Sequence, residues 1–210
     1  TDELLEKLPN LKLIAKLGTG LDMIDIPAVL RRGILLCNTP GANSVAVAEH
    51  TFALLLGYLR NVPQCDNAVR TGQWEKARTM GGEICGKTVG IIGTGRIGMI
   101  TAKLFLAFGA KVIAYSRTEK PEAKALGITY LPLADVMAQS DIVSIHTPNN
   151  ASTRGLISAE MIALMKPTAL LINCARGPIV DEAALIEALE NGRLAGAGLD
   201  VTDPEPVAPD

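Results

Sequence analysis

Residues 89–98 read Val-Gly-Ile-Ile-Gly-Thr-Gly-Arg-Ile-Gly, an apolar run that passes straight into Gly93-x-Gly95-x-x-Gly98. No other stretch restricts the fold as strongly. Gly93 permits a tight turn out of a strand, Gly95 lets backbone approach a pyrophosphate, and Gly98 lets the next helix pack close to the sheet. The spacing predicts a strand from Lys87-Thr88-Val89, a helix over about 97–108 with its free N–H groups facing phosphate, and a second strand over 111–115. Three spaced glycines alone would be weak in a chain with 20 of them. The strand–turn–helix–strand context makes them a site for a nicotinamide-type dinucleotide.

Around this segment, short β-branched runs alternate with amphipathic stretches, the pattern of βαβ units. Strands are predicted near 11–16, 34–38, 89–92, 111–115, 129–130, 141–145, 169–173 and 194–199. Helices are predicted near 26–32, 44–59, 63–70, 121–126, 133–139, 159–164 and 182–191. Ser44 reads as the N-cap of the long apolar helix. The last six strands make a doubly wound parallel α/β sheet. With 48% hydrophobic but only 3% aromatic residues, its core must be Leu, Ile, Val and Ala, as parallel sheets favour. Helix 44–59 is apolar nearly all round, so it should be buried on several sides. The tail from Asp203 reads as a loop with no element after it, and the chain as an excerpt.

Charge narrows the partners. Lys and Arg number 20 against 22 Asp and Glu, with no basic run, so nucleic acid and anionic membrane surfaces are not expected. The acidic start is no signal peptide, and no apolar stretch reaches the ~18 residues of a membrane span. Cys37, Cys65, Cys85 and Cys174 form no CxxC pair. Free thiols in a reducing cytoplasm are expected, with no metal.

An NAD site is expected to carry an acid about 20 residues past the glycines, to hold the adenosine ribose. Here Ser116 stands at that point, followed by Arg117 and Thr118. Hydroxyls and a guanidinium suit a 2′-phosphate, which favours NADP over NAD. NAD stays possible if Arg117 is only a solvated loop charge. Further on, the strand 169–173 delivers Cys174-Ala175-Arg176-Gly177 at the carboxyl edge, where open α/β sheets bind ligands. Arg176 can clamp a carboxylate and polarise a carbonyl, or simply pair with an acid such as Asp181. Asp200 and Glu205 follow the last strand. His50, inside the apolar helix, reads as a satisfied core or interface histidine. His146, beside Thr147-Pro148, reads as lining the adenosine side.

These motifs, with Gly18-Thr19-Gly20-Leu21-Asp22, Asn38-Thr39-Pro40-Gly41-Ala42-Asn43-Ser44 and Ala48-Glu49, resemble the D-isomer-specific 2-hydroxyacid dehydrogenase family almost end to end. Trp74-Glu75-Lys76 through Met80–Ile84 looks most like its phosphoglycerate dehydrogenase branch, and Tyr115–Thr118 like NADP-using glyoxylate/hydroxypyruvate reductases. The resemblance implies a Rossmann-like dinucleotide domain (86–210), linking and dimerisation helices (44–85) and part of a flavodoxin-like substrate domain (1–43).

It also implies roles. Arg176 would bind the 2-oxo acid, and Glu205 would orient a catalytic histidine. Cofactor would meet Thr19, Gly93, Gly95, Arg96, Ile97, Gly98, Ser116, Arg117, Thr118, His146, Thr147, Cys174, Ala175 and Asp200. Substrate would meet Lys16, Gly18, Thr19, Gly20, Asn43 and Arg176, with Lys16 where some relatives carry an Arg for a phosphorylated substrate. Met23 departs from the family's usual Asp-Asn pair. The implied protein is a homodimeric oxidoreductase passing hydride between NAD(P)H and a small 2-oxo or 2-hydroxy acid. The family's Pro-His proton shuttle matches neither His50 nor His146 and is expected beyond Asp210. A non-catalytic sensor or corepressor on the same scaffold is the rival reading. An adenosylhomocysteine hydrolase-like enzyme is disfavoured by the Asn173–Gly177 strand.

Overall fold

The computed structural model describes residues 1–74 and 80–207. They gather into two compact units that divide between Ala46 and Val47.

The first unit is a small β-α-β arrangement. Helix α1 (Asp2–Glu6) precedes β1 (Leu13–Lys16), α2 (Ile26–Arg31) and β2 (Leu35–Asn38). The strands run parallel, with Leu13 opposite Leu35 and Lys16 opposite Asn38. Asp25 caps α2 by accepting the Ala28 N–H, and Pro27 fits its first turn. Leu5, Ala28, Val29 and Ile34 form a compact core. Helix α1 was not predicted, because five residues carry too little periodicity to read. Its Asp2 accepts from Arg31 and Arg32, which hold that carboxyl below its usual range.

Helix α3 (Ser44–Leu59) contains the division, and α4 (Val62–Arg70) follows it. Ser44 is the first helical residue of α3 rather than its cap. The burial of α3 is narrower than its composition suggested. Ala48, Thr51, Phe52, Leu55 and Leu59 form one buried stripe, while Val45 and Tyr58 are exposed. The Tyr58 hydroxyl donates to the Ala195 carbonyl, which fixes the far end of the helix.

The second unit is built on β3 (Thr88–Ile92), α5 (Arg96–Ala107), β4 (Lys111–Tyr115), α6 (Pro121–Ala125), β5 (Thr129–Tyr130) and α7 (Leu133–Gln139). It continues with β6 (Ile142–Ile145), α8 (Ala159–Ala163), β7 (Leu170–Asn173), α9 (Glu182–Glu190) and β8 (Gly196–Leu199). All six strands are parallel, in the order β5-β4-β3-β6-β7-β8. This is the doubly wound Rossmann order, reversing between β3 and β6. Strand side chains alternate between two cores. Ile91, Val112, Ile142 and Ile172 face a cluster with Phe52 and Phe105, whose rings stand 4.5 Å apart. Ile92, Ile113, Val143 and Leu171 face a second cluster with Met137, Ile179 and Leu185. Each fully buried side chain of this size stabilises the fold by about 2 kcal/mol. No helix among the described residues is long and apolar enough to cross a membrane.

Candidate functional site

The sheet register aligns the chemistry. Ile92 lies opposite Tyr115 and Ile145, Ile145 opposite Asn173, and Asn173 opposite Leu199. The residues one step further are Gly93, Ser116, His146, Cys174 and Asp200. Five residues singled out from sequence therefore stand in one row along the carboxyl edge. Ligands of open α/β sheets bind at this edge, where the strand order reverses.

A cleft of about 320 Å³ opens there, walled by Gly93–Gly95, Tyr115–Thr118, Lys120, His146–Pro148 and part of the 150–156 segment. Gly93 has φ +96°, and a Cβ on it would stand 2.9 Å from the His146 carbonyl oxygen. A Cβ on Gly98 would overlap the Gly93 carbonyl oxygen, whereas one on Gly95 would meet nothing within 4 Å. Gly95 thus presents bare backbone to open space. It is also the N-cap of α5, without a side-chain cap, so the first helical N–H groups stay available to an anion. These features fit the pyrophosphate of a dinucleotide. Arg96, Ile97 and Gly98 do not wall the cleft. His146 Nε2 lies 2.8 Å from Ser144 Oγ. Burial lowers the His146 pKa to about 4, so its imidazole is neutral at neutral pH.

At the ribose end, Ser116 is half-buried while Arg117 and Thr118 are exposed. Lys120, overlooked in the sequence because it lies beyond the expected ribose position, also forms the wall. Glu119 lies between Thr118 and Lys120 in sequence but is not part of the wall. Its carboxylate pairs with Lys124 Nζ at 2.5 Å, which raises the Lys124 pKa. No carboxylate among the described residues walls this cleft.

Further along the edge, Asn173 is 1% exposed and braces the following turn. Its Oδ1 accepts the Ala175 N–H at 3.0 Å, and its Nδ2 donates to the Arg176 carbonyl at 2.9 Å. Arg176 in turn donates Nη1–H to the Ala175 carbonyl at 2.6 Å. The loop after β8 crosses this turn so closely that a Cβ on Gly177 would overlap the Thr202 carbonyl oxygen. Glu205, in that loop, accepts the Thr202 N–H at 3.2 Å. Cys174 is buried, and desolvation raises its pKa, so it stands as a thiol beside Thr51. Of the two readings of His50, core or interface, the structure sets aside the core one. His50 is exposed, and its Nε2 lies 3.2 Å from Asp200 Oδ1.

Apart from Arg176, the predicted substrate residues belong to the first unit. Thr19 Oγ1 donates to Asn43 Oδ1 at 3.2 Å and accepts the Gly41 N–H at 3.3 Å, and its carbonyl accepts from Asn38 Nδ2. Lys16 Nζ lies 3.7 Å from where a Gly18 Cβ would stand, and Gly18 N–H donates to Thr39 Oγ1. Gly20 follows in the same loop, so β1 and β2 bring this set together. Of the phosphoglycerate-dehydrogenase-like stretch, residues 75–79 lie outside the described residues, as do 208–210 of the tail.

A family model described as the D-isomer specific 2-hydroxyacid dehydrogenase, NAD binding domain, matches residues 52–210. The chain belongs to this family. It is 42% identical to D-3-phosphoglycerate dehydrogenase of Bacillus subtilis over 207 residues, covering 98% of this chain and 39% of that protein. It is 45% identical to glyoxylate reductase of Thermococcus litoralis over 212 residues, covering 97% of this chain and 64% of the relative. The D-lactate dehydrogenase of Aquifex aeolicus, solved with NAD and lactic acid, superposes with a TM-score of 0.89 at 37% identity, covering 100% of this chain and 66% of that one. The chain thus spans between about two fifths and two thirds of the length of these dehydrogenases.

Proposed function

We propose that this chain is the cofactor-holding part of an NADP(H)-preferring D-2-hydroxyacid dehydrogenase acting on a small 2-oxo acid of the glyoxylate, hydroxypyruvate or phosphoglycerate type. The observation that carries the reading is the cleft at the β3–β6 reversal, with bare Gly95 backbone at its centre and Ser116, Arg117 and Thr118 at its ribose end. No Asp or Glu among the described residues walls this cleft, and Glu119 is paired with Lys124, which favours a 2′-phosphate. Residues 1–43 belong to the substrate domain, 44–85 to linking and dimerisation elements, and 86–210 to the dinucleotide domain. Four free cysteines suit a reducing cytoplasm.

The bound nicotinamide supplies or accepts a hydride at the substrate's C2. Arg176 binds the 2-oxo acid's carboxylate and polarises its carbonyl, on a turn kept rigid by Asn173. Asp200, Cys174, Ala175, Thr147 and neutral His146 line the cofactor's path along the edge. Arg96, Ile97 and Gly98 present the α5 N-terminus, and Thr19 belongs to the substrate-side set within the first unit. Lys16, Gly18, Gly20 and Asn43 complete the substrate side. Glu205 orients a proton-donating histidine of the Pro-His type, which has no counterpart among the 210 residues. The purified chain should therefore bind NADPH yet reduce glyoxylate and hydroxypyruvate at least ~10²-fold more slowly than the complete protein, the usual loss of a general acid. Comparable NADPH oxidation by both would show that the proton donor lies within these residues. Binding without turnover by the complete protein would favour a sensor.

A further inference from the structure

Three segments distant in sequence meet at one hydroxyl. Tyr130, at the end of edge strand β5, donates its O–H to Thr94 Oγ1 at 2.8 Å and accepts the Lys120 N–H at 3.1 Å. Thr94 stands between the first two glycines of the phosphate turn and is 1% exposed. Lys120 closes the loop that begins at Ser116. The Tyr130 hydroxyl therefore ties the turn beneath the pyrophosphate to the loop at the ribose end.

That loop carries two cations into the cleft wall, Arg117 and Lys120. The Lys120 ammonium is held loosely by Glu122, at 3.9 Å. Glu119 is engaged by Lys124. The glycine turn and this pair of cations line the same cleft, so one ligand carrying phosphate at both 5′ and 2′ of an adenosine could meet both. A loop fixed before binding loses less entropy on binding than one that must be ordered.

We propose that Tyr130 is a positioning residue that clamps the Ser116–Lys120 loop onto the glycine turn, so that Lys120 joins Arg117 in receiving the cofactor's 2′-phosphate. The proposal rests on the NADP(H) reading above. Its consequence is selective. Loosening the loop weakens ligands that carry a 2′-phosphate and leaves the pyrophosphate contacts in place.

The test measures dissociation constants of NADPH, NADH and 2′-AMP for the protein and for Tyr130→Phe, Thr94→Val and Lys120→Gln, with each variant's thermal midpoint. Lys120→Gln removes a charge-assisted contact and should weaken NADPH and 2′-AMP about fivefold to tenfold, with NADH changed less than about twofold. Tyr130→Phe and Thr94→Val remove the same tie from its two ends. Each should lower the NADPH-to-NADH affinity ratio about threefold to fivefold. Equal weakening of NADPH and NADH in the tie variants would make Tyr130 merely structural and overturn the clamp. An unchanged ratio in Lys120→Gln would remove Lys120 from the phosphate site. If the unaltered protein binds NADH as tightly as NADPH, the cofactor reading itself fails. If the preference is present and survives every variant, only this inference fails.

Discussion

Gly98 sits at the start of α5 against the Gly93 carbonyl, with His146 Cβ 3.3 Å from where its own side chain would begin. Backbone lies on one side and a packed histidine on the other, so neither neighbour can yield cheaply. Gly98→Ala should cost about 1–3 kcal/mol of stability and abolish NADPH binding, because the turn must open to admit the methyl group. Thermal unfolding and fluorescence titration check both, and unaltered affinity would show that the turn is not the phosphate site. His146 adds a pH dependence. Its folded pKa of about 4 lies below the ordinary histidine value of 6.5, so on acidification the unfolded chain takes the proton first. Stability is then full above about 6.5 and falls towards pH 4 by up to ~3 kcal/mol. His146→Gln should flatten the profile in that interval. A variant whose melting points parallel those of the unaltered protein would exonerate His146.

Among the elements, α3 and its surroundings carry the assembly prediction. Val45 on α3, Val62 and Val69 on α4, and Trp74 and Met80 after it are all more than half exposed. Large apolar groups clustered on connected segments mark protein interfaces. A homodimer through α3 and residues 73–84 should appear as twice the chain mass in light scattering at micromolar concentration. A strictly monomeric mass would count against it, and Trp74→Glu should shift a dimer towards monomer. The elements also show what the sequence could and could not carry. The six-strand sheet was legible because β-branched runs and glycine turns are local signals. The five edge residues were legible because each ends such a run. Helix α1 was too short to show a period, and α3 hid its exposed face behind a composition apolar nearly all round. The Tyr130–Thr94 tie joins residues 36 apart, the Asp200–His50 pair joins residues far more distant, and Glu119 is turned aside by a neighbour's charge. Such contacts depend on tertiary placement, which no periodicity encodes.

At the scale of the whole molecule, one edge of one sheet organises the account. In the proposed function the glycine turn would hold the pyrophosphate, the loop after β4 the ribose end, and the ends of β6, β7 and β8 the path towards Arg176. The solved D-lactate dehydrogenase neighbour holds NAD, so the family fold alone does not decide the cofactor's 2′ substituent. In this chain the proposed NADP(H) preference rests on Ser116, Arg117 and the pairing of Glu119 with Lys124. Paired fluorescence titrations of the protein with NADPH and NADH at physiological ionic strength test this most directly. The predicted result is NADPH binding about tenfold tighter, equivalent to ~1.4 kcal/mol, with the order reversed by Ser116→Asp. NADH binding as tightly or more tightly, or no binding of either dinucleotide, would contradict the account.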